Sequence, residues 1–381
     1  MEQTSIFGEL SIEQFLAEYW QKKPLLVRGA FADFEFPVGA DELAGLACEE
    51  EVESRLILQD ADGEQWQLEH GPFGEDRFTS LPERYWTLLV QAVDHWVPDA
   101  QALMEQFDFV PNWRLDDLMI SYAADGGGVG PHYDNYDVFL IQAAGCRRWD
   151  VGGLYGEDSP RRPDTPVMIL PEWQAEQSWQ LQPGDMLYLP PRVGHNGVAA
   201  GDGCLTYSVG FRAPAHSEIF QGFSRFLADR LAGELRYADP DLRRPQHPGE
   251  IDDRAIERLQ ALMRQYIDQP DLLSRWFGEY MTEPKYPELA TDQASINSPL
   301  RTGESLYRSE GARLAYRRQS DGGYLLFADG QSHSFNEAEL PLVQQLADSG
   351  WLELNAAPSA AERKLLEALL RQGSIYSDLD Q

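Results

Sequence analysis

The stretch Gly126-Gly127-Gly128-Val129-Gly130-Pro131-His132-Tyr133-Asp134 places the strongest constraint on how this chain can fold. One residue separates His132 from Asp134, and side chains two positions apart on an extended strand point to the same face. An imidazole and a carboxylate are therefore offered side by side to one ion. A phosphate-binding glycine loop would need a helix after it, and the sequence predicts a strand there instead. The glycines permit a tight backbone path beside the ion.

A third ligand is available downstream in His195. Pro183-Gly184-Asp185 predicts a turn, 186–189 a strand, and Pro190-Pro191 with Gly194 a tight turn into the histidine. Two histidines and one carboxylate form the facial triad of non-haem Fe(II) oxygenases, which leaves three coordination positions open. A zinc protease site with the same ligand types is built on His-Glu-X-X-His, which this sequence lacks. These three side chains therefore predict an Fe(II) site.

A co-substrate site is predicted beside the metal. Two of the open positions suit a 2-oxoacid that chelates the iron, and the far carboxylate of such a molecule needs a cation. Arg147 and Arg148 lie on the strand that follows the metal strand, and a guanidinium offers a two-pronged contact to a carboxylate. One of the two is expected to face the pocket. The alternative is two surface arginines at a turn.

Short strands with glycine and proline at their joints dominate residues 114–214, a pattern typical of a β-sandwich or barrel. The predicted strands cover 117–123, 130–134, 138–144, 148–152, 178–181, 185–189, 194–199 and 204–211. We expect this part to form the core, with residues 1–113 as an α/β part of the same catalytic domain.

Residues 1–113 combine predicted helices and strands. Ser11 precedes an apolar stripe at helical spacing and is expected to cap a helix. Asp62-Gly63 lies between two extended segments and predicts a hairpin. The predicted helices cover 12–20, 40–47, 85–97 and 99–107, and the predicted strands cover 24–30, 54–59 and 64–69.

The chain becomes helical again after residue 214. Apolar stripes predict helices over 219–227, 251–266 and 272–280. Their large apolar residues suit either a second subunit or packing within one chain, and we name 215–282 a helical dimerisation region. Residues 283–300 contain several prolines and are read as a linker.

Residues 301–381 are expected to form a small winged-helix domain. The predicted strands cover 313–317, 324–327 and 351–354, and the predicted helices cover 336–349 and 359–372. Nucleic-acid binding is the usual role of this fold. Because this segment carries eight basic and twelve acidic residues, a protein-contact or dimer-supporting role is favoured instead.

The charge of the chain bears on its partners. Its 31 basic and 63 acidic residues give a net charge of −32, which repels nucleic acid and attracts basic partners. Solubility, or a salt-tolerant source, is the alternative reason for such acidity. Three scattered cysteines fit a reduced interior, and the sequence has neither a signal peptide nor a membrane-spanning apolar run. We therefore expect a cytoplasmic protein.

Several motifs together resemble the bacterial ribosomal oxygenases, which belong to the JmjC-type 2-oxoglutarate oxygenases. The motifs are Tyr19-Trp20-Gln21-Lys22-Lys23-Pro24-Leu25-Leu26, Gly127-Gly128-Val129-Gly130-Pro131-His132-Tyr133-Asp134, Tyr136-Asp137-Val138-Phe139, Gly145-Cys146-Arg147-Arg148-Trp149 and Tyr207-Ser208-Val209-Gly210-Phe211-Arg212-Ala213-Pro214. The resemblance covers nearly the whole chain. It implies a mainly β fold with α: a double-stranded β-helix core, a helical dimerisation region and a C-terminal winged helix.

The resemblance also implies an activity and site residues. It implies a dioxygenase that uses Fe(II), 2-oxoglutarate and O2 to hydroxylate an arginine, at Cβ, of a basic large-subunit ribosomal protein. It assigns His132, Asp134 and His195 to the iron. It assigns Arg147, rather than Arg148, and Ser121 to 2-oxoglutarate. It makes Asp125 and Tyr136 candidates to hold the target guanidinium.

Three other classes of function stay open from the residues. The first is a related oxygenase acting on a ribosomal histidine or a methylated lysine. The second is a small-molecule oxygenase or a cupin-type isomerase with the same triad. The third is a non-enzymatic adaptor, which would have no need to keep the triad together with Arg147.

Overall fold

The computed structural model describes residues 6–287 and 300–377. The chain divides into two compact units, with the boundary between Ala213 and Pro214. Most of the predicted linker, residues 288–299, lies outside the described part. Within the described ranges, no helix is long and apolar enough to cross a membrane.

Two antiparallel sheets form the first unit. Its strands are β1 (Leu25–Val27), β2 (Ser54–Gln59), β3 (Trp66–His70), β4 (Trp86–Val90), β5 (Leu115–Ala123), β6 (Val138–Ala144), β7 (Arg147–Leu154), β8 (Gln177–Leu181), β9 (Met186–Leu189), β10 (Val193–Ala199) and β11 (Cys204–Phe211). The large sheet has the order β1-β9-β6-β11-β5-β4-β2-β3, and the small sheet has the order β10-β7-β8. Its helices are α1 (Ile12–Glu18), α2 (Ala40–Leu46), α3 (Glu75–Thr79) and α4 (Gln101–Met104).

The strands β6, β9 and β11 of the large sheet are buried on both faces, which explains why they read as nearly continuous apolar runs. One apolar cluster joins the two sheets, with Leu140 and Leu187 from the large sheet against Val151 and Leu181 from the small one. A second cluster lies on the other face of the large sheet and includes Phe15 of α1. The prediction of a mainly β core is confirmed.

The predicted helix over residues 85–97 is wrong. Trp86–Val90 is strand β4, paired with β2 and β5, and a short 3-10 turn follows at Val93–His95. The sequence Trp-Thr-Leu-Leu-Val consists largely of residues that favour strands, and its pairing partners lie about 30 residues away on either side. The predicted helix over 99–107 is broken, with only Gln101–Met104 α-helical between two 3-10 turns.

The predicted strand over residues 130–134 is not a regular strand. The glycine-rich segment instead makes isolated bridges to β10, between Gly128 and Val198 and between His132 and His195. The reason is the left-handed backbone at Gly130, whose φ is +81°, because that conformation interrupts an extended ladder.

The second unit contains three helices followed by a small α/β domain. The helices are α5 (His216–Ala228), α6 (Asp253–Ile267) and α7 (Pro270–Thr282). The α/β domain comprises β12 (Ser305–Arg308), β13 (Leu314–Arg318), β14 (Tyr324–Ala328), β15 (Gln331–Phe335), α8 (Leu340–Ser349), β16 (Trp351–Glu353), α9 (Ala360–Gln372) and β17 (Ile375–Ser377). Its sheets are ordered β16-β12-β17 and β13-β14-β15. The sequence predictions missed β12, β15 and β17.

We expect Phe15→Ala to lower the free energy of unfolding of the first unit by about 3–5 kcal/mol, the usual loss for a large buried aromatic residue. Phe15 is fully buried, with ring centroids 4.1 Å from Phe7 and 5.0 Å from Tyr188. Denaturant unfolding of the full chain measures the change. Ile12→Ala on the exposed side of the same helix is the control, and equal losses in the two variants would contradict the prediction.

Candidate metal centre

Three side chains converge at one end of β10. His132, Asp134 and His195 each offer one ligand atom, and these atoms all lie within 4.8 Å of one another. Two backbone hydrogen bonds hold the histidines together, from His132 N to His195 O (3.0 Å) and from His195 N to His132 O (2.8 Å). Arg192 N donates to Asp134 O (2.6 Å). The structure thus brings together the three residues that the sequence predicted as ligands.

Each histidine ring is fixed by a backbone carbonyl two residues earlier. Nδ1 of His132 lies 2.8 Å from Gly130 O, and Nδ1 of His195 lies 2.9 Å from Val193 O. A carbonyl can only accept, so Nδ1 carries the proton and Nε2 keeps its lone pair. Anchoring of the second ring nitrogen is what metal-binding histidines generally show.

The electrostatics of the cluster favour a neutral imidazole. Burial, together with repulsion from His132, lowers the pKa of His195 to about 4, although the Asp134 carboxylate acts in the opposite direction. A neutral imidazole at physiological pH can bind a metal without first losing a proton.

Arg147 is the second feature of the site. Its side chain reaches from β7 of the small sheet to the large sheet, where Nη1 donates to Ser121 Oγ on β5 and Thr206 Oγ1 on β11, both at 3.1 Å. The residue is 3% exposed, and Nε has no hydrogen-bond partner among the described residues. Desolvation lowers the pKa of this guanidinium. Arg148 points outward and pairs with Asp150 at 3.1 Å.

Among the described residues, no carboxylate lies within ion-pair distance of the buried Arg147 guanidinium. Burying a charge without a counter-ion destabilises a folded protein. The Arg147 surroundings therefore suit an anionic group that enters from the pocket. Sequence reasoning missed Thr206, which stands opposite Ser121 in the β5–β11 register. The sequence alone does not reveal that the Ser121 and Thr206 hydroxyls are neighbours, because this depends on the register between β5 and β11.

The structure does not bring Asp125 into the metal cluster. Its carboxylate pairs with Arg84 at 2.6 Å and accepts a hydrogen bond from Gly201 N at 2.8 Å. Tyr136 follows Asp134 by two residues and is 42% exposed. Desolvation, with the nearby charges of Asp134 and Asp117, raises the pKa of the Tyr136 hydroxyl, so it stays protonated.

The donor set fits a hard or borderline divalent cation with open coordination positions. Two imidazoles and one carboxylate are the ligands of a facial triad, and Arg147 supplies a cation for an anion that binds beside it. The site can therefore hold a metal together with an anionic small molecule that reaches Arg147.

Two protein-family models match the chain. A JmjC domain matches residues 102–219, which contain the metal cluster and Arg147, and a ROXA-like winged helix matches residues 262–376. The prediction of a winged helix is confirmed. The dimerisation role of residues 215–282 stays a prediction.

Curated relatives and solved structures cover most of the chain. A ribosomal protein uL16 3-hydroxylase from Escherichia coli is 41% identical over 80% of this chain and 82% of its own. A probable ribosomal oxygenase from Haemophilus influenzae is 31% identical over 96% of this chain and 88% of its own. The structure of YcfD, a ribosomal oxygenase from Escherichia coli, in complex with cobalt and 2-oxoglutarate, superposes with a TM-score of 0.83. It is 36% identical and covers 97% of this chain and 99% of its own.

A mainly β core with a two-histidine, one-carboxylate cluster defines the class of JmjC-type oxygenases. This chain belongs to the bacterial ribosomal oxygenases, which are 2-oxoglutarate-dependent hydroxylases within that class.

Replacing Arg147 by methionine is expected to leave the ligand-free protein as stable as the wild type or to stabilise it by about 1–4 kcal/mol. The physical reason is that an apolar side chain of similar volume removes a buried charge that has no counter-ion within residues 6–287 and 300–377. Denaturant unfolding provides the measurement. Arg148→Met removes a neighbouring arginine whose side chain is 55% exposed and should change little. A large loss of unfolding free energy in R147M but not in R148M would contradict the prediction and would show that Arg147 stabilises the fold.

Proposed function

We propose that this protein is an Fe(II)- and 2-oxoglutarate-dependent dioxygenase that hydroxylates Cβ of an arginine in ribosomal protein uL16 of the large subunit. The observation that carries the proposal is the triad combined with a buried Arg147 whose Nε has no hydrogen-bond partner in the described part of the chain. When bound, Fe(II) and 2-oxoglutarate supply the chemistry that activates O2, and succinate and carbon dioxide are released. The relative from Escherichia coli is named as a uL16 3-hydroxylase.

In this proposal His132, Asp134 and His195 hold the iron. Backbone bonds and Nδ1 anchors hold the two histidine rings, and a backbone bond from Arg192 N holds the main chain of Asp134, so the fold itself positions these residues for a metal. Three ligands leave three positions for co-substrate and oxygen. The prediction that Fe(II), 2-oxoglutarate and O2 are required agrees with the cobalt and 2-oxoglutarate complex of the YcfD relative.

Arg147 holds the far carboxylate of 2-oxoglutarate, with Ser121 beside it. Nη1 of Arg147 is already fixed by two hydroxyls, while Nε remains available. A carboxylate at this position would neutralise the buried charge and form charge-assisted hydrogen bonds. Ser121 is itself nearly fully buried and can turn its hydroxyl proton toward the same carboxylate.

Asp125 and Tyr136 are assigned to the target arginine. Asp125 already pairs with an arginine of this chain, Arg84, so a substrate guanidinium would replace that ion pair. Tyr136 has a partly exposed side chain and offers a neutral hydroxyl near the metal ligand Asp134. Together they would orient the arginine carbon toward the iron.

The acidity of the chain suits a basic ribosomal protein. A net charge of −32 steers a positively charged partner toward the enzyme over long range. The same charge disfavours direct binding of nucleic acid, and we assign the winged helix to protein contacts. We place the enzyme in the cytoplasm, because its substrate is a ribosomal protein.

We also propose a homodimer formed through the helices of residues 215–282. Helix α6 has no buried residue, and its apolar residues Ile256, Leu259 and Met263 lie on one face and are between 45% and 51% exposed. An apolar helix face of this kind usually covers a partner surface. A second copy of the chain is the simplest partner, since one patch then serves both subunits.

Incubating large-subunit ribosomal proteins with the enzyme, Fe(II), 2-oxoglutarate and O2 should add one oxygen atom to uL16. Intact-mass analysis detects the gain, and fragmentation should place it on an arginine side chain. His132→Ala should abolish the gain because it removes a metal ligand. His70→Ala, which changes an exposed histidine on β3, should leave it unchanged.

Other outcomes identify other functions. Oxygen on a histidine, or loss of a methyl group from a lysine, would reject arginine as the target. Formation of succinate with no modified ribosomal protein would keep the oxygenase and discard the ribosomal substrate. If His132→Ala retains full activity, the metal assignment fails.

Light scattering is expected to give twice the chain mass of 43.1 kDa. The double substitution Ile256→Glu with Leu259→Glu should reduce this to the monomer, because it places charges on the apolar face of α6. Gln260→Glu on the same helix adds one charge at an exposed polar position and should leave the dimer intact. A wild-type monomer would reject the dimer proposal.

A further inference from the structure

Trp149 lies close both to the metal ligand His195 and to Arg147. Residues 147, 149 and 151 of β7 alternate inward, and they pair with Ala199, Gly197 and His195 of β10. The Trp149 ring centroid lies 5.9 Å from the ring of His195 and 5.2 Å from the guanidinium carbon of Arg147. The indole is therefore close to a metal ligand and to the buried cation at the same time.

Gly197 makes room for this ring. A Cβ at position 197 would lie 2.6 Å from two carbons of the Trp149 ring, which real contacts do not allow. The indole thus rests directly on the backbone of β10, one inward position from His195 and one from Ala199. A molecule that reaches from the metal ligands to Arg147 would therefore come close to Trp149.

The indole N–H lacks a hydrogen-bond partner. Trp149 is 5% exposed, and Nε1 finds no acceptor among the described residues. A buried donor without an acceptor is unfavourable and uncommon. The same is true of Arg147 Nε, so two unsatisfied donors lie on the same strand, two residues apart.

We infer that Trp149 is a further co-substrate-binding residue, whose indole N–H donates a hydrogen bond to 2-oxoglutarate between the metal and Arg147. The inference rests on the proposed function, because it takes 2-oxoglutarate as the molecule in the pocket. The ring offers an apolar surface to the methylene carbons of 2-oxoglutarate. The bound molecule also supplies the acceptor that the buried indole N–H lacks among the described residues. Trp149 stacked beside the guanidinium also restrains Arg147.

The test is the binding of 2-oxoglutarate to Zn(II)-loaded full-length protein, measured by calorimetry without turnover. Trp149→Phe keeps an aromatic ring and removes the N–H. We expect its Kd for 2-oxoglutarate to rise about tenfold, as for the loss of one hydrogen bond to a charged group. The Kd for Zn(II) itself should not change.

Trp179→Phe is the matched control. Trp179 lies opposite Trp149 on β8 and packs on the same apolar cluster, but it is one strand further from His195 and should leave the Kd for 2-oxoglutarate unchanged. Arg147→Gln separates this inference from the proposed function. If R147Q weakens binding and W149F does not, only the inference about Trp149 is overturned. If R147Q binds like the wild type, the proposed co-substrate site fails.

A second measurement needs no variant and remains valid if W149F folds poorly. The chain has ten tryptophans, whose indole N–H signals can be followed by 15N NMR in the Zn(II)-loaded wild type. Addition of 2-oxoglutarate should shift one of these signals strongly and slow its exchange with water. If no indole signal shifts at saturation, the hydrogen bond does not form and the inference is wrong.

Discussion

The backbone pair between His132 and His195 is the interaction on which the site depends. Two hydrogen bonds of 3.0 and 2.8 Å bring a loop and a strand together and set the two rings 4.2 Å apart. Gly128 extends the same contact, since a Cβ there would lie 2.5 Å from Gly197 O. Main-chain bonds therefore set the positions of the two histidines.

The buried arginine shows how function and stability oppose each other in this fold. Arg147 crosses from the small sheet to two hydroxyls on the large one, yet it keeps an unsatisfied Nε. A core residue selected only for stability would be apolar at this position. An anionic ligand bound beside Arg147 would neutralise this charge, and under the proposed function it would therefore add to the stability of the folded protein.

Hydrogen bonds to Asp137 hold the start of β6, the strand that follows the metal ligand Asp134 in the chain. Asp137 is fully buried and accepts hydrogen bonds from Tyr188 Oη (2.6 Å) and Gln21 Nε2 (2.9 Å). Burial raises the pKa of its carboxyl group, and these donors act against that shift. The N-terminal segment thereby fixes the start of β6, directly after Asp134 and Tyr136. Together with the pairing of β1 with β9 and of β4 with β5, this contact ties the residues before the core to the unit that holds the metal cluster.

The sequence by itself determined the parts of this protein that depend on local patterns. Ser11 caps α1 with Gln14, β11 covers the predicted residues 204–211, and the motif around His132 with His195 predicted the metal cluster. Tertiary structure alone decided features that depend on distant partners: that residues 86–90 form a strand, and that Thr206 meets Arg147. Hydrogen-bond capping and side-chain periodicity act over a few residues, whereas strand register joins residues far apart in the chain.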